Sequence, residues 1–582
     1  MSGVAIDPPA GAAVHTARGT ETGPARDTGF ARDDGPARST GSPDAEAVAE
    51  ETALGALLRC CVREVAGPRG QVWAQGVRLT LRLGGRLIRV PASGGLALRF
   101  DGPPLLCEDG AWRRLTLERL VRLVQEELSA PADGPANDEF AGQVLGSRAA
   151  VAAVVRGRAG AAAPEDEWLA SEQALVSGHP FHPSPKARGG QGWLRYAPET
   201  HARFPLRLLG VRDDLVASGG DASALDGLGA APAGYTALPA HPWQLGLLRE
   251  DLAAPLADGR LVDLGETGAP AVPTSSVRTV YEPGVDRCLK FSLDVRITNC
   301  VRKNAWYELV ASAELSARLE PVFAALALGF PGTRWLPEPG WRSASLGTRL
   351  LEGLGVIVRA SPWRVAGPGV TPVLAGALAA PGPLAGHGAR TRAALRAMRA
   401  EPLAWWAAYV DRVAPPVLEA YLRHGVVLEP HLQNVLAGLD GDGMPARAVF
   451  RDLEGTKLVA GRHDLSGLPG RVAAACTYDA ARGWDRVVYC LMVNHLPEIA
   501  ATVAGTAAGD GPAAAGLLRE LWAVAHARLA RYAGERPPPR LARLLAGAPL
   551  PAKANLSVRW ARSADRDAVY VPVASPFAGV GA

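Results

Sequence analysis

The most specific chemistry lies in two polar clusters, residues 429–434 and residues 451–455, which read Glu-Pro-His-Leu-Gln-Asn and Arg-Asp-Leu-Glu-Gly. The stretch between them is typical of two antiparallel strands joined by an Asp-Gly-Asp-Gly turn. In such a hairpin Asn434 and Asp452 face each other at about 5 Å, the cross-strand spacing. We therefore predict that Asn434 and Asp452 bind one Mg²⁺, whose shell is completed by phosphate and water oxygens. Glu429 is a further candidate ligand, and the alternative is a hairpin with polar ends and no ligand.

A second group combines hydroxyl and cationic side chains. It consists of the run Thr-Ser-Ser-Val-Arg-Thr, residues 274–279, and of Lys290. Ser276 and Thr279 supply hydroxyls, whereas Arg278 and Lys290 supply positive charge from two segments that read as adjacent strands. Converging donors of these kinds suit a polyphosphate, because charged donors form the stronger hydrogen bonds to phosphate oxygens.

One long helix is predicted to begin at Thr298, whose hydroxyl suits the position before the first helical turn. Trp306 and Leu309 then begin an apolar stripe at helical spacing. Arg302 would lie in or near the first turn, where backbone N–H groups and the helix dipole favour phosphate. The alternative is a capped helix with solvated arginines.

A stiff loop is predicted at residues 178–189, which contain two His-Pro pairs and a Ser-Pro pair. Each proline fixes its own φ and biases the preceding residue to extended geometry. Such a loop can hold His182, Lys186 and Arg188 toward an anion. The alternative is a rigid surface turn, and the further His-Pro pair at His241 shows that this dipeptide also occurs elsewhere.

Lysine is scarce in this chain. Five of the 62 basic residues are lysines, and the remainder are arginines. Where arginine serves as the ordinary surface cation, a retained lysine can mark a site that needs a compact ammonium group. The five are Lys186, Lys290, Lys303, Lys457 and Lys553. The motifs around Lys186 and Lys290 favour this interpretation for those two, and chance remains an even alternative for Lys303 and Lys457.

Composition excludes several classes of protein. The net charge of +4 gives no reason to expect nucleic acid as a partner. The seven cysteines form no Cys-x-x-Cys pair, so we expect neither a disulfide framework nor a zinc site. We expect the protein to be located in the reducing cytoplasm. No uninterrupted apolar run approaches the roughly 18 residues of a membrane span, so no membrane is expected.

The pattern of elements predicts an α+β protein with several subdomains. Residues 1–45 are rich in Pro, Gly, Asp and Arg and are predicted to be a disordered tail. Residues 46–170 read as a mixed unit with a hairpin around Gly84, followed by a helix from Leu115 to Leu128. Residues 171–370 carry the second group of motifs, and residues 371–582 are mainly helical and carry the predicted metal-binding hairpin.

In their order along the chain, these motifs resemble the NRPS-independent siderophore synthetases, the IucA/IucC family. The resemblance covers roughly residues 178–560 and includes a C-terminal Lys-Ala-Asn-Leu-Ser-Val-Arg-Trp run, residues 553–560. It implies a cradle of thumb, fingers and palm subdomains, in which the palm has distant kinase-like character. It also implies a homodimer.

The family also implies roles for individual residues. The resemblance places ATP and Mg²⁺ among Ser276, Arg278, Thr279, Lys290, Thr298, Arg302, His431, Gln433, Asn434 and Asp452. It places the acid substrate against His182, Lys186, Arg302, His431 and Arg559. The residues expected to be catalytic are Lys290, Arg302, His431, His182 and Lys186.

The implied reaction joins two small molecules. A carboxylic acid, such as citrate, a related di- or tricarboxylate or its half-amide, is activated as its adenylate, and an amine or hydroxyl then displaces AMP. A small-molecule kinase is the main alternative, because Glu429 lies five residues before Asn434, where many such kinases carry a catalytic carboxylate. The kinase interpretation does not explain the His-Pro loop, and the chain has no evident Gly-rich phosphate loop of the kind that kinases use. A non-catalytic siderophore-binding protein is the third possibility.

Overall fold

The computed structural model describes residues 44–129, 137–188, 190, 192–297, 300–379, 388–563 and 568–580. The predicted tail, residues 1–45, lies outside the described residues except for its last two. Asp44 and Ala45 already belong to a helix end, because the Asp44 carboxylate accepts hydrogen bonds from the backbone N–H groups of Glu46 (3.0 Å) and Ala47 (3.4 Å).

The first part of the chain packs three helices against a small antiparallel sheet. Its helices are α1 (Ala45–Cys60), which continues as a π-helical segment (Cys61–Ala66), α2 (Leu117–Ser129) and α3 (Glu139–Ala159), and α4 (Glu167–Glu172) follows them. Its strands are β1 (Val72–Gln75), β2 (Arg78–Leu83), β3 (Arg86–Ser93), β4 (Arg99–Phe100), β5 (Leu105–Glu108) and β6 (Ala111–Arg114). The predicted hairpin is confirmed, since Leu83 pairs with Arg86 across Gly84 and Gly85, both at positive φ. The predicted helix is confirmed as α2.

An eight-stranded antiparallel sheet forms the centre of the structure, in the order β8-β16-β17-β12-β11-β10-β7-β9. Its strands are β7 (Phe204–Arg212), β8 (Val216–Gly220), β9 (Tyr235–Ala240), β10 (Leu261–Pro273), β11 (Thr279–Glu282), β12 (Arg287–Phe291), β16 (Gly340–Ala344) and β17 (Val356–Ala360). Between them lie α5 (Pro242–Leu247), α6 (Arg249–Ala257), the hairpin of β13 (Leu293–Ile297) and β14 (Cys300–Arg302), α7 (Trp306–Gly329), β15 (Thr333–Trp335) and α8 (Thr348–Gly353). The second group of motifs lies on β10, β11 and β12.

The predicted start of the long helix is wrong. Helix α7 begins at Trp306, and the backbone of Arg302 belongs to strand β14, so Arg302 is not in the first helical turn. The helix start is fixed by the Glu308 side chain, which accepts a hydrogen bond from the backbone N–H of Ala305 (2.9 Å). Pairing of β13 with β14 overrides the local signal of a threonine before an apolar stripe.

The last part of the chain is mainly helical. Its helices are α9 (Trp363–Ala366), α10 (Ala375–Ala379), α11 (Ala389–Ala400), α12 (Pro402–Leu422), α13 (Gly470–Ala475), α14 (Ala480–Val488), α15 (Leu496–Ala508), α16 (Pro512–Ala533), α17 (Pro539–Leu545) and α18 (Asn555–Trp560). A second π-helical segment (Tyr489–His495) joins α14 to α15. The strands are β18 (Thr371–Leu374), β19 (Val426–Val427), β20 (Val435–Leu439), β21 (Pro445–Phe450), β22 (Lys457–Val459), β23 (Thr477–Tyr478), β24 (Leu550–Lys553) and β25 (Tyr570–Val573).

The largest hydrophobic core lies in this last part. Trp405, Trp406 and Tyr409 of α12 are fully buried at its centre, where the indole of Trp406 donates to the carbonyl of Leu521 (2.6 Å). The stretch Ala480–Ala508 is apolar and long enough to cross a membrane, but its most apolar window is entirely buried inside the protein. It is therefore a core helix. Helices and mostly antiparallel sheets together give the mixed fold that the sequence predicts, and the boundaries at residues 170 and 370 stay predictions.

Candidate functional site

A cavity of about 1510 Å³ lies where the three groups of motifs meet. It is larger than the roughly 300–1,000 Å³ of typical small-molecule pockets, so it has room for more than one substrate. Among the described residues its lining includes twelve Lys or Arg side chains and nine Asp or Glu side chains, an excess that suits anions. The predicted site residues that line it are His182, Lys186, Ser276, Arg278, Thr279, Lys290, Glu429, His431, Gln433, Asn434 and Asp452.

The hydroxyl-rich run forms a tight loop between β10 and β11. The backbone N–H of Thr274 donates to the carbonyl of Thr279 (2.8 Å), and the hydroxyl of Ser276 accepts from the N–H of Thr279 (3.2 Å). Val277 has a φ of 68° with its side chain buried, a left-handed conformation that is rare for a β-branched residue. Strained loops of this kind concentrate at functional sites. The strain brings Ser276 and Arg278 to the cavity wall.

Three buried cations and three carboxylates form one network on this wall. The Lys290 ammonium lies 3.1 Å from Asp452 Oδ1 and 2.9 Å from Glu454 Oε2. Arg278 pairs with Glu454 and donates to Asn304 Oδ1 (2.6 Å). The remaining members, Arg359 and Glu338, are paired with each other, and Arg359 also lies 3.5 Å from Asp452 Oδ1.

The network keeps its groups charged. Burial would raise the pKa of Asp452, but Lys290 and Arg359 hold it well below the usual range, and Arg278 and Lys290 do the same for Glu454. Burial would lower the pKa of Lys290, yet Glu454 and Asp452 raise it overall. At neutral pH the wall therefore presents fixed ammonium and guanidinium groups to the cavity.

A second buried ion pair fixes the loop against the hairpin. Arg451 pairs with Glu172 through both carboxylate oxygens and also donates to the carbonyl of Gln433 (2.7 Å). Glu172, which is fully buried, accepts from the hydroxyl of Ser275 (2.7 Å), and the Gln433 side-chain amide donates to the same hydroxyl (3.3 Å). Helix α4, the loop before β11 and the hairpin are thereby held in one arrangement.

The hairpin of β20 and β21 is confirmed, but its register differs by one residue from the prediction. Val435 pairs with Phe450, so Asn434 lies opposite Arg451, whose N–H donates to the carbonyl of Asn434 (3.1 Å). The pairs keep one register from Val435 with Phe450 to Gly438 with Arg447, and the register shifts by one residue at Leu439, which pairs with Pro445. Asp452 follows at a φ of 79° and still lines the cavity.

The residues of the hairpin suit a magnesium ion in part. No group of three His, Cys, Asp or Glu side chains within the described ranges is placed to hold a metal. Mg²⁺ in nucleotide sites, however, uses one or two carboxylates together with phosphate and water oxygens. Asp452 is kept ionised, and Asn434 lines the cavity. The Oδ1 of Asn434 is the atom that could bind the ion, whereas its amide nitrogen, which has no hydrogen-bond partner among the described residues, could donate to a phosphate oxygen. Glu429 already pairs with Arg486 at 2.5 Å.

The His-Pro loop is buried and not a surface turn. His182 is 6% exposed, and its Nδ1 accepts from the backbone N–H of Ser184 (3.1 Å). Lys186 and Arg188 both pair with the buried carboxylate of Glu199. Burial would raise the pKa of Glu199, but Lys186 and Arg188 lower it to about 2. Part of the predicted anion-binding charge is therefore used inside the protein.

Three predicted site residues are not placed at the cavity. Thr298 lies outside the described residues, and the side chain of Arg302 is not described. Arg559 is buried in α18 and does not line the cavity, whereas Lys553 and Asn555 from the same motif do.

Several important side chains were missed by the sequence reasoning. They are Glu172, Glu199, Glu338, Arg359, Glu454 and Arg486. Glu454 belongs to the polar run 451–455, near Asp452, so its position there was a usable signal. Glu172 and Arg451 are 279 positions apart, and no local pattern connects them.

Comparison with known proteins identifies the family. The family model described as IucA / IucC family matches residues 167–380, and a model described as Ferric iron reductase FhuF-like transporter matches residues 403–568. The rhizobactin siderophore biosynthesis protein RhbC of Rhizobium meliloti is 32% identical over 448 residues, which are 70% of this chain and 76% of that protein. The chain belongs to the IucA/IucC family of siderophore synthetases.

Other members of the family match in sequence and in structure. The L-2,3-diaminopropanoate–citrate ligase of Staphylococcus aureus is 29% identical over 58% of this chain and 63% of its own length. The ATP-bound aerobactin synthetase IucA of Klebsiella pneumoniae has a TM-score of 0.76 at 25% identity and covers 90% of this chain and 99% of that one. Membership favours the ligase over the kinase and over a non-catalytic siderophore-binding protein.

Proposed function

We propose that this siderophore synthetase is an ATP-dependent ligase that activates a citrate-type carboxylic acid as its adenylate and condenses it with an amine or hydroxyl. The network of Arg278, Lys290 and Arg359 on the cavity wall is the observation that carries the proposal. Relatives support it by name, since one is a citrate ligase and another was solved with ATP bound.

The proposed reaction has two balanced steps. A carboxylate oxygen of the acid bonds to the α-phosphorus of ATP while the bond to the β-phosphate bridging oxygen breaks, which releases pyrophosphate. The amine nitrogen then bonds to the acyl carbon, the acyl–oxygen bond breaks, AMP leaves, and the ammonium proton passes to solvent. Charge builds on phosphoryl oxygens in the first step, so preorganised cations provide the main stabilisation.

Individual side chains are assigned to this scheme as follows. Arg278, Lys290 and Arg359, with the hydroxyls of Ser276 and Thr279, would bind the phosphates. Asp452 and Asn434 would hold Mg²⁺, which supplies positive charge to the phosphates when bound. Burial lowers the pKa of His431, so the ring is neutral at pH 7 and can act as a hydrogen-bonding group near the acid. His182, Lys186 and Lys553 would complete the acid site.

The products of the reaction test the proposal. The enzyme is incubated with ATP, Mg²⁺ and a panel of di- and tricarboxylic acids, with hydroxylamine as a surrogate nucleophile. The expected result is acid-dependent release of pyrophosphate and AMP together with a trapped hydroxamate. Acid-stimulated formation of ADP without pyrophosphate would overturn the ligase and support the kinase.

We further propose the cradle organisation that the family implies, with a thumb at residues 46–170, fingers at residues 171–370 and a kinase-like palm at residues 371–582. We also propose that the enzyme works in the cytoplasm as a homodimer. Light scattering of the purified protein tests the dimer, and a monomeric mass at working concentration would contradict it.

A further inference from the structure

One end of the cavity is lined by charges that the phosphate chemistry does not use. Arg59 of α1, Arg99 of β4 and Glu498 of α15 line this end, which we call the arginine end. Arg63 lies directly behind it, with its guanidinium 3.2 Å from the centre of the Phe181 ring. Phe181 belongs to the His-Pro loop, so the arginine end adjoins the proposed acid site.

The arginines of this end are held in place without ion pairs. Arg59 donates to the carbonyl of Leu98 (2.7 Å), and Arg63 donates to that of Leu96 (3.2 Å). Arg99 donates to the hydroxyl of Thr502 (2.6 Å) and to the carbonyl of Glu498 (3.1 Å). Within the described parts of the chain, none of the three is ion-paired with a carboxylate. The guanidinium groups of Arg59 and Arg99, which line the cavity, are thus oriented by neutral acceptors and can still pair with an anion.

Acceptor groups of this end lack partners. Glu498 is 8% exposed, and its Oε1 has no hydrogen-bond partner among the described residues. Asn494 also lines the cavity and is 7% exposed, and its Oδ1 accepts no hydrogen bond from any residue that the structure describes. Burial raises the pKa of Glu498, although Arg99 and Arg59 oppose the rise. An ammonium group bound here would satisfy these acceptors and stabilise the charged carboxylate.

Irregular backbone surrounds the arginine end. The π-helical segments Cys61–Ala66 and Tyr489–His495 contribute Arg63 and Asn494, respectively. Leu98, whose carbonyl orients Arg59, has a φ of 46°. π-helical turns are rare and occur frequently at functional sites, and so do left-handed residues other than glycine. Two independent departures from regular structure thus converge on these side chains.

We propose that the arginine end binds the nucleophile, and that the nucleophile is a diamino acid. Arg59 and Arg99 bind its carboxylate, Glu498 and Asn494 bind its α-ammonium group, and its second amine extends toward the acyl carbon. A guanidinium pair and an unpartnered carboxylate at one end of a cavity match the opposite charges of an amino acid. A simple diamine would leave both arginines without an anion. This proposal rests on the ligase reaction proposed above.

Matched nucleophiles provide the test. L-Ornithine and putrescine differ only in the carboxylate, as do L-lysine and cadaverine. With the preferred acid, ATP and Mg²⁺, the wild-type enzyme is expected to use a diamino acid with a kcat/KM at least about tenfold above that of its diamine, because unpaired buried arginines penalise the diamine. Equal use of both members of each pair, or preference for the diamines, would overturn the proposal.

Variants locate the effect. Arg99→Gln is expected to raise KM for the diamino acid by about tenfold or more and to leave KM for the diamine unchanged. Glu498→Gln is expected to raise KM for both members of a pair. Arg156→Gln, on the exposed face of α3, is the control and should change neither value. If Arg99→Gln does not fold, Arg59→Gln replaces it. The comparison of diamino acids with diamines in the wild-type enzyme tests the proposal without any variant.

The first half-reaction separates the two proposals. Hydroxylamine trapping of the activated acid does not need the natural nucleophile, so its KM for the acid is expected to be unchanged in Arg99→Gln and Glu498→Gln. A raised KM for the acid in this assay would show that the arginines bind the acid, which contradicts the diamino acid proposal. Absence of trapping in the wild-type enzyme with every acid would instead contradict the ligase reaction itself.

Discussion

Replacement of Lys290 tests the charged wall of the cavity most directly. In Lys290→Met a side chain of similar length loses its charge, and Asp452 and Glu454 lose a shared ammonium at 3.1 and 2.9 Å. At an effective dielectric constant of about 20, each contact corresponds to ~5 kcal/mol of Coulomb energy. Arg278 and Arg359 still face these carboxylates, and the ammonium no longer has to be desolvated. We therefore expect a net destabilisation of about 3 kcal/mol, at the low end for a broken buried pair.

The loss of stability should depend on pH in a defined direction. The pKa values of Asp452 and Glu454 are lowered in the folded protein, so they stabilise the fold above their ordinary range near pH 4 and lose this effect as pH falls through the lowered values. In Lys290→Met the pKa values of Asp452 and Glu454 are lowered less than in the wild type, because the ammonium that contributes to the lowering is gone. Urea unfolding should therefore show the full difference between wild type and Lys290→Met at pH 7, and a shrinking difference below about pH 4.

Activity and controls complete this prediction. Acid-dependent pyrophosphate release should fall by about 2–4 kcal/mol of transition-state stabilisation, roughly 30- to 1,000-fold. Lys290→Arg should fail almost as badly, because a planar guanidinium does not fit between the two carboxylates. Lys303→Met is the matched control, since Lys303 pairs with Glu352 at 2.6 Å but is 29% exposed, and should cost under ~1 kcal/mol. Near-wild-type turnover in Lys290→Arg, or equal destabilisation in the two Met variants, would refute the reasoning.

Three further predictions concern other parts of the structure. Glu199→Gln leaves Lys186 and Arg188 without their carboxylate and should destabilise the fold by about 3–5 kcal/mol at pH 7, measured by urea unfolding. The difference from wild type should disappear as pH falls from about 5 toward 2, because Glu199 then becomes protonated. An unchanged unfolding midpoint at pH 7 would contradict this prediction. Gly455→Ala places a Cβ 2.6 Å from Glu429 Oε2 and should reduce turnover. The control is Gly470→Ala, whose Cβ would meet no atom within 4 Å. Equal turnover in the two variants would contradict the predicted clash with Glu429. Deletion of residues 1–43, which keeps Asp44, should leave the melting temperature within experimental error in calorimetry, and a clear drop would show that this segment packs on the fold.

Local patterns predicted the secondary structure elements well but not their exact placement. The alternation around Gly84 and the helix α2 follow directly from periodicity, because each is determined by neighbouring residues. The start of α7 was wrong because a hairpin of β13 and β14 competes for the same residues. The register at Asn434 was wrong by one residue because the sequence pattern locates the turn but does not fix which residues of the two strands pair.

The candidate site was predicted from its cations, whereas most of the carboxylates that hold those cations were missed. Cations occurred in compact motifs that carry a chemical meaning of their own. Their partners Glu172, Glu199 and Glu338 lie in segments without any motif, and only the fold brings them within hydrogen-bonding distance. A sequence can therefore indicate where a substrate anion would bind without indicating how much of the charge is already neutralised.

The lysines show both sides of this limit. Four of the five line the cavity, namely Lys186, Lys290, Lys457 and Lys553, whereas Lys303 forms a partly exposed pair with Glu352 outside it. Scarcity alone did not distinguish Lys457, which lines the cavity, from Lys303, which does not. It did not reveal that Lys186 and Lys290 are buried against carboxylates, where an ammonium is expensive to desolvate. This desolvation cost is acceptable where the ammonium binds a substrate anion. The position of each neighbouring carboxylate, and not the lysine alone, therefore determines how strongly the cavity attracts an anion.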